Sequence, residues 1–554
     1  MAEVPQNTPA ALVIGAGPTG LMMASELARH GVPCRIIDKL PHASTTSKAL
    51  GLHSRTLEVF EQIGVLDEAL AHGLKQHGVN IYADGQRIIH ISFDDLHGPY
   101  PFMLNLPQSE TERILSQHLE QLGVQVERQV ELIDFSQDEQ AVTARLRHAD
   151  SHEETVTTSW LTGCDGAHSA VRHRLNVPFS GSAYPEAFAL ADVKLHWPLP
   201  DDELYLFLSQ DGLFAAFPMP GGRYRLIFET AAEAGEEKMP DPTLEEIQGY
   251  LNKFAPAGST ASDPAWLAAF RTHLRQAAHT RHGRAFLAGD AAHIHSPAGG
   301  QGMNTGLQDA YNLAWKLALV TAGYAPSSLL DTYESERHPV AESVMRTTDM
   351  MIKGATLRNP IAQHIRNRLV PLLVQQDFIQ QRLTGQISEL SINYRKSQIV
   401  AEYHHSRFNH GHIIGGPRAG DRAPDATSLL RADGTSVRLF EALRSTKHTL
   451  LLMADTDHQE ESWQRLTRLA DDINASYSQQ INVYLVAAGR AAPASGASRA
   501  AILLDPELTL HQGYGAIAEC LYLIRPDGYI GYRSYPAEAA RLIDYLKQIL
   551  LSER

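Results

Sequence analysis

The stretch Ala11-Leu-Val-Ile-Gly-Ala-Gly-Pro-Thr-Gly-Leu21 decides the fold. Leu12 to Ile14 read as a short apolar strand, Gly15, Gly17 and Gly20 as a tight turn, and a helix starts near Thr19. Glycines let the backbone approach a pyrophosphate, and the helix N-terminus offers free N–H groups at the positive end of its dipole. Val32 to Ile37 form a second strand that ends at Asp38. That places a carboxylate about 20 residues past the glycines, where it can hold a ribose 2′-hydroxyl. The order strand, turn, helix, strand, acid is that of a dinucleotide-binding βαβ unit; the alternative is a glycine-rich turn in some other α/β unit.

At 554 residues the chain is too long for one ordinary core, and two or three domains are expected. A hydrophobic content of 43% with 20% charged residues is that of a globular protein. The net charge of −15 argues against a nucleic-acid or anionic-membrane surface, which needs clustered Lys and Arg. No apolar run reaches membrane-span length, and no Lys or Arg precedes Arg29, so neither a span nor a signal peptide is expected. Cys34, Cys164 and Cys520 are scattered, which fits a reducing cytoplasm. His293 and His295 lack a supporting Cys or carboxylate cluster, so no metal site is expected.

Outward from the first unit, Leu57, Phe60 and Ile63 recur at helical spacing. Residues 78–104 alternate like strands and leave the nucleotide fold. Pro107 to Leu115 return as a helix, with Ser109 and Glu112 spaced as a capping box. Residues 124–162 alternate as a β-meander, and residues 178–280 form a separate strand-rich module. Arg284 to Ala288 resume the nucleotide fold. Residues 307–398 are helical in pattern, Gly411 to Pro424 are a Gly/Pro-rich linker, and strands alternate with helices beyond it. Arg525 to Arg533 read as strand–turn–strand about Pro526-Asp-Gly.

Two further blocks answer the first. One is Trp160-Leu-Thr-Gly-Cys-Asp-Gly-Ala-His-Ser-Ala-Val-Arg172; the other runs from Arg284 through Gly289-Asp290 and Pro297-Ala-Gly-Gly-Gln-Gly-Met-Asn304 to Leu317. In this order the three blocks, covering Ala11 to Pro339, resemble the single-component (group A) FAD-dependent aromatic hydroxylases. Phenol, hydroxyphenylpropionate and polyketide or rifampicin hydroxylases with an extra C-terminal domain are the nearest in character. The resemblance implies an α/β fold whose Rossmann-like FAD-binding domain is interrupted by a β-rich substrate domain. The expected FAD-binding segments are 1–77, 105–177 and 281–340, and the substrate segments 78–104 and 178–280. A helical segment 341–410 and a thioredoxin-like domain 411–554 follow. Holding only Cys520, that domain lacks Cys-x-x-Cys and cannot exchange disulfides.

By the same resemblance, the enzyme uses tightly but non-covalently bound FAD, with NADPH or NADH as a transient co-substrate and O2. A flavin C4a-hydroperoxide then hydroxylates a phenolic or polyketide-like aromatic. Gly15, Gly17, Pro18 and Gly20 are expected at the pyrophosphate, and Asp38 with Lys39 at the adenosine end. The family more often has Glu at 38, and the shorter Asp shifts that contact. Arg55 and Gln108 match positions that reach the phosphates and ribityl chain; a surface arginine and a helix-capping residue are the alternatives. Asp165, Gly166 and Arg172 match the second fingerprint, with Asp165 as a cap for a helix near His168 the alternative. Gly289, Asp290, Gly302, Met303 and Asn304 are expected on the flavin side.

The turn Pro297, Gly299, Gly300 and Gly302 is expected to aim backbone N–H groups at the flavin and keep side chains off it. No second GxGxxG occurs, so the nicotinamide coenzyme has no domain of its own. His295, Tyr205, Tyr224 and Arg223 are candidates by position for a base that takes the phenol proton, each with packing or solvation as the alternative. Phe214 or Phe217 is a candidate pocket wall, with core packing as the alternative. Other outcomes within the family stay open: antibiotic modification, epoxidation or decarboxylating hydroxylation. A non-catalytic flavin-binding protein is the alternative from another class. The partners expected are an aromatic small molecule and, as is common in the family, a second copy of the chain.

Overall fold

The computed structural model describes residues 9–44, 46–209, 212–230, 239–296, 298–357, 359–374, 376–404, 415–493 and 498–552. They divide into two compact units. The first holds 1–28, 33–310 and 338–391, and the second 29–32, 311–337 and 392–554.

The first unit is built on a six-stranded sheet. Its order is Arg281–His282, Ala285–Leu287, Trp160–Gly163, Ala11–Ile14, Cys34–Asp38 and Val126–Arg128. All neighbours run parallel except the first pair. Ala11 pairs with both Trp160 and Cys34, so the first and second glycine blocks leave adjacent strands at the same end. The strand Ala11–Ile14 is buried throughout, as a parallel strand covered on both faces must be. Val126–Arg128 joins this parallel sheet instead of the expected meander. The meander itself is Glu131–Gln137, Val142–Arg147 and Glu153–Thr158. Its Leu132, Val142, Ala144, Leu146 and Val156 close a core with Leu12, Ile37 and Leu161.

An eight-stranded sheet completes this unit. Its order is His293–Ile294, Thr260–Ala277, Phe179–His196, Arg223–Thr230, Gly212–Met219, Leu204–Ser209, Gly78–Ala83 and Gln86–Ser92. Strand alternation gives it two unlike faces. Tyr205, Phe207, Phe214, Tyr224 and Phe228 point to one face, where Ile247 and Leu251 of the helix Leu244–Phe254 cover them. That helix carries a complete capping box between Thr243 and Glu246. Leu206, Phe217 and Ile227 point to the other face.

The expected capping box of Ser109 and Glu112 is absent. The helix Gln108–Gln121 begins two residues earlier, after Pro107, so Ser109 lies inside the first turn. Glu112 instead accepts a hydrogen bond from Gln108 Nε2 at 2.9 Å.

The second unit holds another eight-stranded sheet. Its order is Ala401–His404, Ile530–Tyr535, Cys520–Ile524, His448–Met453, Ile481–Ala488, Ala501–Asp505, Leu429–Arg431 and Ser436–Val437. His448–Met453 runs parallel to Ile481–Ala488 through the helix Gln459–Tyr477, and antiparallel to Cys520–Ile524. A hairpin leads from there to Ile530–Tyr535 and the final helix Ala539–Ile549. One face of this sheet packs Trp463, Leu466, Leu542 and Leu546; the other packs Phe440, Leu510 and Tyr514.

A closed ionic cluster lies inside this unit. Glu336 accepts from Arg525 (2.7 and 2.8 Å), Lys316 (2.7 Å), Asn312 (2.8 Å) and Ser397 (2.6 Å). Asp527 balances the second cation by accepting from Arg525 Nε at 3.0 Å. Two acids and two bases, each no more than 3% exposed, cancel in charge, as burial without solvent demands.

Among the described residues no helix is long and apolar enough to cross a membrane. No group of His, Cys, Asp and Glu among them is arranged to hold a metal ion.

Candidate active site

The first and third glycine blocks meet around one side chain, Thr19. A Cβ on Gly289 would lie 2.5 Å from its Oγ1, and a Cβ on Gly306 would clash with the same atom. Gly15, at φ +99°, leaves no room for a side chain either: a Cβ would sit 2.5 Å from the Cys164 carbonyl oxygen. A Cβ on Gly20 would overlap the Gly15 carbonyl. Gly17 is different, since a Cβ there meets nothing. Gly15 and Gly20 thus serve strand–helix packing, while Gly17 faces open space at the start of the helix Pro18–Arg29.

Asp38 is drawn into this turn. Its Oδ2 accepts from Ala16 N at 2.7 Å and its Oδ1 from Leu40 N at 2.8 Å, with Arg128 at 3.7 Å. Each oxygen keeps a lone pair for a ligand hydroxyl. Lys39 is exposed on the rim of a surface pocket of about 370 Å³ that Gln129, Glu131 and Arg147 also line.

Asp165 does cap the helix expected near His168, which begins at Ala170: its Oδ2 accepts from Ala170 N (2.6 Å) and Val171 N (3.2 Å). Gly166, at φ +79°, has open space around it. Arg172 is buried. It donates to the carbonyls of Ala291 (2.9 Å) and Ala167 (2.8 Å), and its guanidinium lies 3.8 Å from the Phe179 ring centre. It ties the second block to the third.

Asp290 lies in the short turn Gly289–Ala291. Its side chain is open to solvent, yet surrounding protein raises its pKa against the pull of His293 and Lys48. Asp165 is likewise half-exposed, with its pKa raised by burial. Both carboxyls are reached by solvent yet sit in surroundings that disfavour their ionised form.

The turn before the helix Gln301–Thr321 has Gly299 at φ +78° and Gly300 at φ +64°. Pro297 lies outside the described residues. Asn304 staples the turn: its Nδ2 donates to Gly300 O and Gly51 O, both at 2.8 Å, and its Oδ1 accepts from His53 N at 3.0 Å. His53 Nε2–H donates to Gly299 O at 2.8 Å, and burial lowers its pKa to about 4, so the ring is neutral. The Asn304 side chain is therefore engaged inside the protein, and the start of a helix leaves backbone N–H groups without intrahelical partners.

His295 is held by a 2.8 Å bond from Nδ1–H to Ser296 O, and burial lowers its pKa to about 4. Its Nε2 is buried without a partner and lies 3.5 Å from where a Gly302 Cβ would be. Gln301 Oε1 is also buried and unpartnered. His293 sits apart, with Nε2 2.7 Å from Asp309 Oδ2. Met303 is half-buried beside the turn.

Arg55 forms a buried ion pair with Glu58 at 2.8 Å. Gln108 Oε1 accepts from Ala49 N at 3.1 Å, so it anchors the 47–49 loop. Tyr205 and Tyr224 lie on the helix-covered face of the eight-stranded sheet, edge-on to Trp197. Phe214 is in that core too, and Arg223 pairs with exposed Asp263 at 2.7 Å. Of the aromatic strand candidates only Phe217 is on the half-open face; Arg223 shares that face by alternation, where Asp263 holds it.

Sequence reasoning missed Thr19, His53 and Asp309. Thr19 stood inside the glycine motif, but its partners lie some 270 residues away in chain order. His53 carried no local signal, because its partner is a backbone carbonyl.

An open glycine turn, a helix N-terminus, two solvent-reached carboxyls and a second glycine turn with unpartnered polar atoms beside it are the features a flavin dinucleotide would use. The residues fit FAD: Gly17 admits a close phosphate, and His295 Nε2 and Gln301 Oε1 await partners. A family model described as "FAD binding domain" matches residues 8–348. Pentachlorophenol 4-monooxygenase of Sphingobium chlorophenolicum is 37% identical over 470 residues, covering 82% of this chain and 83% of its own. The 6-methylpretetramide 4-monooxygenase of Streptomyces rimosus is 34% identical over 556 residues, covering 98% and 94%. Among solved structures, the anhydrotetracycline hydroxylase from Streptomyces rimosus superposes with a TM-score of 0.75 at 29% identity, covering 98% of this chain and 99% of that one. The chain belongs to the FAD-binding flavin-dependent monooxygenases.

Proposed function

We propose that the protein hydroxylates a phenolic or polyketide-like aromatic, with NADPH or NADH as reductant and O2 as oxidant. One observation carries this reading: the half-open face of the eight-stranded sheet. Leu206, Ile227, Ala268 and Phe270 are only partly covered there, whereas the opposite face is sealed by a helix. On this open face Phe188, Leu208 and Leu213 pack with Ile352, and the adjacent Met351 Sδ lies 3.8 Å from where a Gly299 Cβ would be. The apolar wall and the glycine turn thus flank the same helix, Asp331–Ala355. An apolar wall with few polar groups suits an aromatic ring.

Bound FAD supplies hydride acceptance and oxygen activation. The chain's residues bind and orient it: Gly15, Gly17, Pro18 and Gly20 at the pyrophosphate, Asp38 and Lys39 at the adenosine end, and Asp165, Gly166 and Asp290 in the cleft. Gly299, Gly300, Gly302 and Met303 present backbone to the flavin. Arg55, Gln108, Arg172 and Asn304 hold these elements in place. His295 offers a neutral acceptor nitrogen to a proton released beside the turn. The relatives described above are named for pentachlorophenol and 6-methylpretetramide, which supports the substrate class.

The second unit has the βαβ–hairpin–helix order of a thioredoxin-like module, without its redox cysteines. Soluble cytoplasmic residence and a homodimer complete the reading. Aerobic NADPH and NADH oxidation by the flavin-loaded protein, followed together with product mass and peroxide across phenols, hydroxyphenyl acids and polyketide aromatics, tests it. A compound that speeds oxidation and gains one oxygen atom is the expected result. Failure of every compound to do so overturns the substrate class.

A further inference from the structure

On the open face of the eight-stranded sheet the apolar wall is interrupted by a buried ion pair and, two rows away beside Phe188, by Glu229. Asp192 and Arg225 are direct cross-strand partners. Arg225 Nε donates to Asp192 Oδ1 at 2.8 Å and Nη2 to Oδ2 at 2.7 Å, a bidentate pair at most 5% exposed. Trp266 pairs with Asp192 on one side, its ring 5.5 Å from the guanidinium, and Phe217 pairs with Arg225 on the other. Both aromatic side chains are partly open.

Arg225 Nη1 is buried without a hydrogen-bond partner. Leaving two guanidinium N–H groups unsatisfied away from water is costly, and a purely structural pair gains nothing from it. The neighbouring row of the same face, Leu206–Ala215–Ile227–Leu190–Ala268, is wholly apolar. No side chain there can supply the missing acceptor.

This end of the sheet also reaches the glycine turn. Asn105 Nδ2 donates to Pro218 O, next to Phe217, at 2.7 Å, and Asn105 pairs with Gly51. Gly51 O in turn accepts from Asn304.

We infer that Arg225 is a specificity-determining residue, whose Nη1 donates to an uncharged oxygen of the aromatic substrate, a ring carbonyl or phenol. The inference rests on the aromatic-substrate reading above. Asp192 sets the charge. Because it cancels the guanidinium, a substrate carboxylate would lose its hydration without gaining a net positive partner, which disfavours aromatic acids. A neutral carbonyl or phenol oxygen needs only the donor.

Calorimetric titration of the flavin-loaded protein with naphthalene, 1-naphthol, 1,4-naphthoquinone and 1-naphthoate tests this. Wild type is expected to bind the naphthol or the quinone roughly 10- to 100-fold more tightly than naphthalene, the weight of a hydrogen bond to a charged donor. Naphthoate should show no such gain. Arg225→Met with Asp192→Leu removes the pair without stranding a buried charge, and should equalise the neutral ligands while leaving naphthalene affinity in place. Arg225→Lys keeps the charge but loses the second arm, and should lose the same preference even if the double variant does not fold. Retention of the preference by either folded variant, or preference of wild type for naphthoate, overturns the Arg225 assignment alone. Wild type that binds none of the four overturns the aromatic-substrate reading itself, and this inference with it.

Discussion

The Thr19 hydroxyl fills the space that a side chain at Gly289 would need, with 2.5 Å between Oγ1 and the position of a Cβ. This one small side chain sets how closely the first glycine block approaches the third. Gly306 meets it as well, and does so from ordinary helical backbone.

Gly306→Ala is therefore a clean steric probe. It is expected to destabilise the first unit by about 1–3 kcal/mol, the usual cost of overpacking, and to reduce retained flavin. Thr19→Ala should recover part of the loss in the double variant. Thermal melting and flavin content of the four proteins check this; equal melting of wild type and Gly306→Ala would refute the contact.

Asp290→Ala is expected to lose FAD, because the variant removes the exposed carboxyl of the third block. Gly302→Val should keep FAD but waste reducing equivalents, since the side chain intrudes beside the helix-start donors. Flavin absorbance per protein checks the first, and the ratio of product to coenzyme consumed checks the second. A holoprotein of normal flavin content with Ala at 290 would remove that residue from the site.

Acid should loosen the first unit through His53. Burial lowers its pKa from 6.5 to about 4. Between those values the unfolded chain holds a proton that the folded chain does not. Stability thus rises with pH across the window and is lost on acidification, by at most about 3 kcal/mol. His295 titrates in the same direction. His53→Gln keeps a donor for Gly299 O without titrating, and should flatten part of the slope in urea melts between pH 4 and 6.5.

The second unit depends on Glu336. Burial opposes its ionisation, but Arg525 and Lys316 outweigh burial and hold the carboxyl well below its usual range. That stability is present above the ordinary glutamate pKa of about 4.3 and drains away as pH falls below it. Glu336→Ala leaves Asp527 alone against two buried cations and should cost about 3–5 kcal/mol. Urea melts of wild type and variant should differ alike at pH 7 and pH 5 and converge as the pH is taken down towards about 2.5.

Tyr205→Phe and Tyr224→Phe should leave the pH dependence of turnover in place, because both rings point into the helix-covered face. A shifted pH–rate profile in either variant would place that ring at the substrate.

Much of this was legible in the chain order. The run Ala11–Leu21 carries its strand, its turn and its helix start in local preferences, and Asp38 follows at the spacing that a βαβ unit imposes. Gly299 and Gly300 announced a turn because consecutive positive φ angles are open to glycine at little cost. The capping box at Ser109 misled, because spacing alone does not say at which residue a helix begins. Tyr205 and Tyr224 misled for a related reason. Alternation shows that two faces exist, but not which of them a helix will cover.

By itself, then, the sequence determined a dinucleotide fold with three glycine blocks and the flavin family to which they belong. Those signals are local, written in backbone conformations that few residues can adopt. Only the tertiary structure decided that Thr19 wedges two distant glycines, that Asn304 and His53 lock the flavin-side turn, and that Arg225 stands opposite Asp192 with one arm free. Each of these depends on which strands become neighbours, and that is settled by the burial of whole faces, which no short stretch of chain encodes.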